Sequence, residues 1–240
     1  MTYCVGLLLS RGLVLLSDTR TNAGLDNIAV YRKMFTFEKP GERVIAILSA
    51  GSLSISQTVL ARLQEAIDED DPARPSLMNA GSMLEVAQRV GDCLAEVTAD
   101  VQAKLGRMNQ TASAAMLVGG QRGTGAMRLF LVYPEGNFIE ATPETPYLQI
   151  GEHKYGKPLL DRVVTRDTTL LDAKKAVLLS MDSTLRSNLS VGMPLDLCVI
   201  EDGALEVGER RRIEANDPQF LKMSAAWSQA LRRGFETIEI

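Results

Sequence analysis

The sequence predicts an α+β fold in which antiparallel sheets are covered by helices, and three observations carry that expectation. Short apolar runs that read as strands come in blocks, and pairs of helix-period segments separate the blocks. The regular strand–helix alternation of a parallel sheet is missing. Many of the strand runs are apolar at consecutive positions, as sheets covered on both faces require. No Pro- or Ser-rich linker divides the 240 residues and no repeat interrupts them, so a single domain over residues 1–240 is expected.

The first 51 residues hold four strand-like runs, YCVGLLL, GLVLLS, VYRKMFTF and RVIAILSAG, separated by Gly, Asn, Asp and Pro. Leu53, Val59, Leu60, Leu63 and Ile67 then recur at helical spacing until the acidic segment 68–75 stops them. In a second helix Met83, Val86, Val90, Leu94, Val97, Val101 and Leu105 step by three or four and form one apolar stripe. Strands resume with AAMLVGG, MRLFLVYP and NFIEA, the first two joined by a Gly-rich connection from Gly119 to Gly125. The string GGQRGTG there has no helix after it and no Lys-Ser/Thr ending, so it reads as a turn and not as a phosphate loop. A helical stretch is expected from about Pro158. A longer one follows Thr169, with Asp172 three residues on as an acidic variant of the capping box. PLDLCVIEDGALEV reads as a hairpin around Asp202-Gly203, and the chain ends in a helix that carries the lone Trp227.

Composition narrows the function. Apolar residues make up 45% and charged residues 23%, the balance of a soluble globular chain with a sizeable core. The net charge is −4 and no stretch concentrates Lys and Arg, which argues against a nucleic-acid or membrane partner. Arg210-Arg211-Arg212 is flanked by Glu209 and Glu214 and reads as a solvated surface. Cys4, Cys93 and Cys198 are widely spaced among apolar neighbours, so free buried thiols in a reducing cytoplasm are expected. No zinc-type spacing occurs, and neither a metal nor an organic cofactor is expected. The Val5–Leu9 run is too short for a signal peptide and no run reaches transmembrane length, which again points to the cytoplasm.

The chemistry gathers at the start of the chain. Reading Ser10-Arg11-Gly12 as a three-residue hairpin loop pairs Leu9 with Leu13, Cys4 with Asp18 and Thr2 with Arg20. Thr2 and Asp18 then share a face as diagonal neighbours, roughly 7–8 Å apart; a two-residue loop would put them on opposite faces. Alternation through Val30–Phe37 sets Lys33 on one face with Tyr31, Phe35 and Phe37, where an ammonium is costly unless paired. Asp18 is the economical partner. Once Met1 is removed, Thr2 carries a hydroxyl and an α-amine whose reference pKa of about 7.7–8.0 suits a general base. Lys33 would disfavour protonation of that amine and polarise the hydroxyl, and Asp18 would hold Lys33.

These segments carry a resemblance. Thr2, Ser17-Asp18-Thr19-Arg20, Arg32-Lys33-Met34-Phe35 and Ser49-Ala50-Gly51-Ser52 resemble the corresponding segments of proteasome β subunits and HslV, which are N-terminal-nucleophile hydrolases. Together with RSNLSVG further on, they look most like the bacterial proteasome homologues called Anbu. The resemblance implies a four-layer αββα sandwich and a threonine-type endopeptidase that acts on peptides or proteins without a cofactor. It also implies a homo-oligomer, as a ring or an open helical ring. Residue by residue, it makes Thr2 the nucleophile, Asp18 and Lys33 its supports, and Gly51 the backbone N–H that meets the oxyanion. Ser187 and Ser190 fall where the family has an Asp-x-x-Ser pair, so Ser190 matches and Ser187 departs. The family's Gly-Ser-Gly segment stands here as Gly151-Glu152-His153.

Other chemistries have less to build on. His153 is the only histidine, and its neighbours Glu152, Lys154 and Gly156 read as exposed, which leaves a serine or cysteine triad without a base. Two alternatives keep the fold. In one the chain is a silent oligomeric scaffold or peptide-binding module, and in the other it hydrolyses a small-molecule or isopeptide amide.

Overall fold

The computed structural model describes residues 2–22, 28–69, 71, 73–106 and 109–239. Met1, whose removal the sequence reading requires, and Asp70 and Pro72 of the acidic segment lie outside the described residues. Among the described residues are twelve strands and five α-helices: β1 Tyr3–Leu9, β2 Gly12–Asp18, β3 Arg20–Asn22, β4 Ile28–Val30, β5 Met34–Lys39, β6 Arg43–Gly51, β7 Ala114–Arg122, β8 Arg128–Val132, β9 Phe138–Glu140, β10 Tyr147–Gly151, β11 Leu195–Glu201 and β12 Glu209–Ile213. The helices are α1 Leu53–Asp68, α2 Met83–Leu105, α3 Lys157–Val163, α4 Leu170–Ser187 and α5 Pro218–Glu236.

Two five-stranded antiparallel sheets form the middle of the molecule, in the orders β10-β1-β2-β11-β12 and β5-β6-β7-β8-β9. Alternation along each strand sends side chains to two different cores. Val5, Leu7, Val14 and Leu16 meet Val177 and Met181 of α4, with Leu160 of α3 and Phe220 of α5. Cys4, Leu8, Leu13 and Leu15 meet Leu48, Leu117 and Leu129 of the other sheet. Ile45, Ile47, Val118 and Phe130 of that sheet meet Val59, Leu63, Val90 and Leu94 of α1 and α2. Three cores between four layers make the αββα sandwich, and burying both sheet faces explains why the strands read as continuous apolar runs.

Helix boundaries follow their caps. Ser82 accepts from the N–H of Glu85 at the start of α2, Thr169 from Asp172 at α4, and Asp217 from Phe220 at α5.

The structure corrects four strand expectations. The first hairpin has a two-residue loop, Ser10-Arg11, and Leu9 faces Gly12, so Cys4 pairs with Ser17 instead of Asp18. Gly12 is drawn into the sheet because β11 pairs along the whole of β2, Glu201 opposite Gly12. The run Val30–Phe37 is broken: β4 pairs with β3, β5 pairs with β6, and Tyr31–Lys33 link them. β7 continues through Gly119 and Gly120 to Arg122, so the turn begins only at Gly123. β10 was not foreseen, and after Asp202-Gly203 the second strand of the late hairpin is Glu209–Ile213 instead of the nearer ALEV.

Candidate active site

Thr2 sits at the mouth of β1, between β2 and β10, and is only 6% exposed. Its carbonyl accepts the N–H of Glu152 at 2.7 Å. Gly151 comes so close that a Cβ there would lie 1.8 Å from that carbonyl oxygen, and its φ of +81° also favours glycine. β10 therefore clamps the backbone of Thr2 from one side. The Gly151-Glu152-His153 corner has become a backbone clamp. His153 is exposed, with Nδ1 3.1 Å from the carbonyl of Gly151.

β2 clamps the other side. Asp18, its last residue, is fully buried and accepts the N–H of Tyr3 at 3.2 Å, one peptide unit from Thr2. The same carboxylate oxygen is 2.7 Å from Nζ of Lys33, which also donates to the carbonyl of Arg20 at 2.6 Å. The other oxygen accepts the N–H of Gly192 at 3.2 Å. Burial raises the Asp18 carboxyl above its ordinary pKa, while the Lys33 ammonium and the N–H groups of Gly192 and Tyr3 oppose that rise. A buried carboxylate with two N–H donors and a cation is the arrangement that satisfies both charges.

The pair thus forms by a route other than the expected one. The two-residue loop puts Thr2 with Cys4 and Asp18 with Leu16 on opposite faces by alternation. Asp18 nevertheless meets the ammonium: it ends β2, still paired with Leu195 of β11, and Nζ of Lys33 comes within 2.7 Å of it. Lys33 does not share the face of Phe35 and Phe37, which pack under α1 and α2. The break at Tyr31–Lys33 lets it turn toward Asp18 instead.

Gly51 ends β6 with φ +107°, exposed, and a Cβ there would lie 2.4 Å from the carbonyl of Ser113. Cys4 Sγ contacts the carbonyl of Ser49 at 3.6 Å, which ties the start of β1 to the end of β6. Thr2 lies two residues before one partner of that contact and Gly51 two residues after the other. Burial pushes the Cys4 thiol well up, and Asp18 adds to this, so Cys4 is a neutral packing residue beside the pair.

The segment 188–194 closes the floor. Arg20 donates to the carbonyl of Leu189 at 2.9 Å, Thr19 Oγ1 to the carbonyl of Pro194 at 2.7 Å, and Gly192 to Asp18. Ser190 lies on this turn, its N–H and hydroxyl both donating to Asn188 Oδ1. Ser187 stands exposed at the end of α4 and is not brought to the pair. The role of Gly192 and Arg20 escaped the sequence reading, although RSNLSVG had marked the segment. An open cleft of about 750 Å³ runs along the edge of β5, lined by Arg32, Met34, Phe35, Phe37, Leu60 and Arg210 among others. It starts next to Lys33 but includes neither Thr2 nor Gly51.

No helix among the described residues is long and apolar enough to cross a membrane. No protein-family model matches the chain, and no curated protein does. Solved structures match it over nearly its full length. The Gly-1 mutant of Anbu from Hyphomicrobium sp. strain MC1 is 48% identical, with 100% of this chain and 99% of that one covered, at a TM-score of 0.92. Anbu (ancestral beta-subunit) from Yersinia bercovieri is 43% identical over 99% and 97% of the two chains, also at 0.92. The helical assembly of the Anbu complex from Pseudomonas aeruginosa is 45% identical over 99% and 97%, at 0.93.

Proposed function

The chain belongs to the Anbu family, and from that membership we propose that it is a threonine-type N-terminal-nucleophile peptidase acting through an acyl-enzyme on Thr2. The observation that carries the reading is the buried Asp18–Lys33 pair at 2.7 Å, fixed one peptide unit from Thr2. With the preceding residue gone, the Thr2 amine takes the proton of its own hydroxyl as Oγ attacks a substrate carbonyl carbon. The Lys33 ammonium favours the neutral amine and the developing negative oxygen. Gly51 supplies an N–H to the oxyanion, and collapse of the tetrahedral species expels the amine half of the substrate with that proton. Water, deprotonated by the α-amine, then cleaves the ester and restores Oγ. Asp18 positions Lys33, and Ser190 orders the turn that brings Gly192 to Asp18. Ser187 has no part in this scheme. The cleft beside Lys33 offers room for an extended peptide or protein segment.

The test is intact mass. Protein purified from a cytoplasmic expression is expected to lack Met1 and to gain one equivalent of a threonine-directed electrophile. Thr2→Ala should take up none and lose turnover by a factor on the order of a thousand or more. Correctly trimmed protein that stays inert to such electrophiles would leave the scaffold reading in place.

Assembly into a homo-oligomer follows the relative from Pseudomonas aeruginosa, whose complex is helical. An apolar stripe on α5 supports it. Phe220, Met223 and Ser224 seat the helix on the body, and the same face continues as Leu231 and Phe235, both more than half exposed.

A further inference from the structure

Both sheets end at the same open cleft. β5 is the last strand of one sheet and pairs only with β6, and β12 is the last strand of the other and pairs only with β11. The N–H of Ser49 donates to the carbonyl of Lys33 at 2.9 Å, which sets the phase of the β5–β6 ladder. By alternation Phe35 and Phe37 turn their backbone groups to β6, while Met34, Thr36 and Glu38 turn theirs to the open edge. Such an edge is a template for one more strand.

That strand would have two unlike faces. On the α1 side the cleft is apolar, with Phe35, Phe37 and Leu60. On the other side stand Arg210 and Arg212. Ile213 of β12 packs on the helix side of its sheet, so alternation sends Arg210 and Arg212 toward the second sheet. Arg210 reaches β5 itself, donating to Thr36 Oγ1 and to Glu38 at 2.8 Å. Arg212 is bidentate on Asp196 at 2.9 and 3.2 Å. Among the described residues, Arg32, Arg210, Arg211 and Arg212 line the cleft against the single carboxylate of Asp196, in a chain of net charge −4. A cleft of one sign between low-dielectric walls concentrates the opposite charge.

We propose that this cleft docks an extended segment of the substrate polypeptide, added as a strand to the edge of β5, in which carboxylates alternate with apolar side chains. The proposal deepens the peptidase reading and rests on it for the word substrate. The six residues of β5 offer about 20 Å of edge. Main-chain hydrogen bonds to residues 34, 36 and 38 hold the segment whatever its sequence. Its period of two then selects among sequences: every second side chain meets the guanidinium groups, and those between meet the apolar wall. The near end of the cleft is at Arg32 and Met34, so a docked chain leaves it beside the Asp18–Lys33 pair. Docking and cleavage are thereby separate events, and acidic segments of alternating pattern mark the preferred substrates.

Binding is read by fluorescence anisotropy on full-length Thr2→Ala, so that turnover does not interfere. The probe is a labelled peptide of alternating Glu and Val or Leu. It is expected to saturate, whereas the same residues with the glutamates in one block, or Lys in place of Glu, bind at least about tenfold more weakly. N-methylation of alternate amides should abolish binding in one register and spare it in the other. Arg212→Gln and Arg32→Gln should each weaken the alternating probe several-fold with the urea midpoint unchanged. Equal binding of the blocked, the lysine or both N-methylated peptides overturns the proposal. So does binding that light scattering finds only in dissociated subunits, because a second copy then holds the cleft. Failure of the probe to bind would leave electrophile uptake at Thr2 untouched, and inertness toward electrophiles would leave binding untouched, so the two readings fall separately.

Discussion

Asp18 and Lys33 are 0% and 5% exposed at their side chains, so neither charge has water to fall back on. Lys33→Met strands the carboxylate and is expected to cost about 3–5 kcal/mol, read from the urea midpoint. Asp18→Asn strands the ammonium at similar cost, and the double variant should cost clearly less than the sum. Strict additivity would mean that the two groups are not coupled. At this scale the residues were legible and their geometry was not. An inward lysine demands an anion, and Asp18, a charge at a strand end facing inward beside the chain terminus, was the economical candidate. The loop length was ambiguous, because Gly12 suits the third place of a loop as well as the first of a strand. What selects the strand is β11, some 180 residues further on, and no local pattern contains it.

Among the elements, α5 shows how a periodicity can be read correctly and still be incomplete. Its start is locked to α4 by Ser224 donating to Asp182 at 2.7 Å, with Arg186 bridging both. Beyond Ser228 it is exposed on all sides, so its apolar stripe has no partner among the described residues. Truncation after Ser228 should therefore change unfolding stability by no more than about 0.5 kcal/mol, as for a surface change, while light scattering shows loss of the higher assembly. A truncated chain that still assembles would take the interface away from α5. The long helices α1 and α2 were legible from their three-and-four spacing, and α4 from its Thr169–Asp172 cap. β10 was not, because YLQIG follows Thr-Pro-Glu-Thr-Pro, which reads as loop until β1 is there to pair with it.

On the scale of the whole molecule, blocks of strands between paired helices were enough to expect helix-covered antiparallel sheets. The layer order came from the resemblance, and three separate cores now account for it. Which strands share a sheet stayed hidden, since β1 and β2 find β10, β11 and β12 only after more than a hundred intervening residues. The same layering has an outcome for the cysteines. Cys4 and Cys198 lie between the sheets, where burial pushes the Cys198 thiol up to about 12 and the Cys4 thiol higher still, whereas Cys93, on α2 against α1, is only half-buried, though burial raises its thiol too. Thiolates, not thiols, attack disulfide reagents and displace the reagent's other sulfur. A native sample should accordingly register one modifiable sulfur by mass, and all three only at the denaturant concentration where the two sheets part. The molecule has a stopwatch built into its middle, one that reports separation of the sandwich without any introduced label.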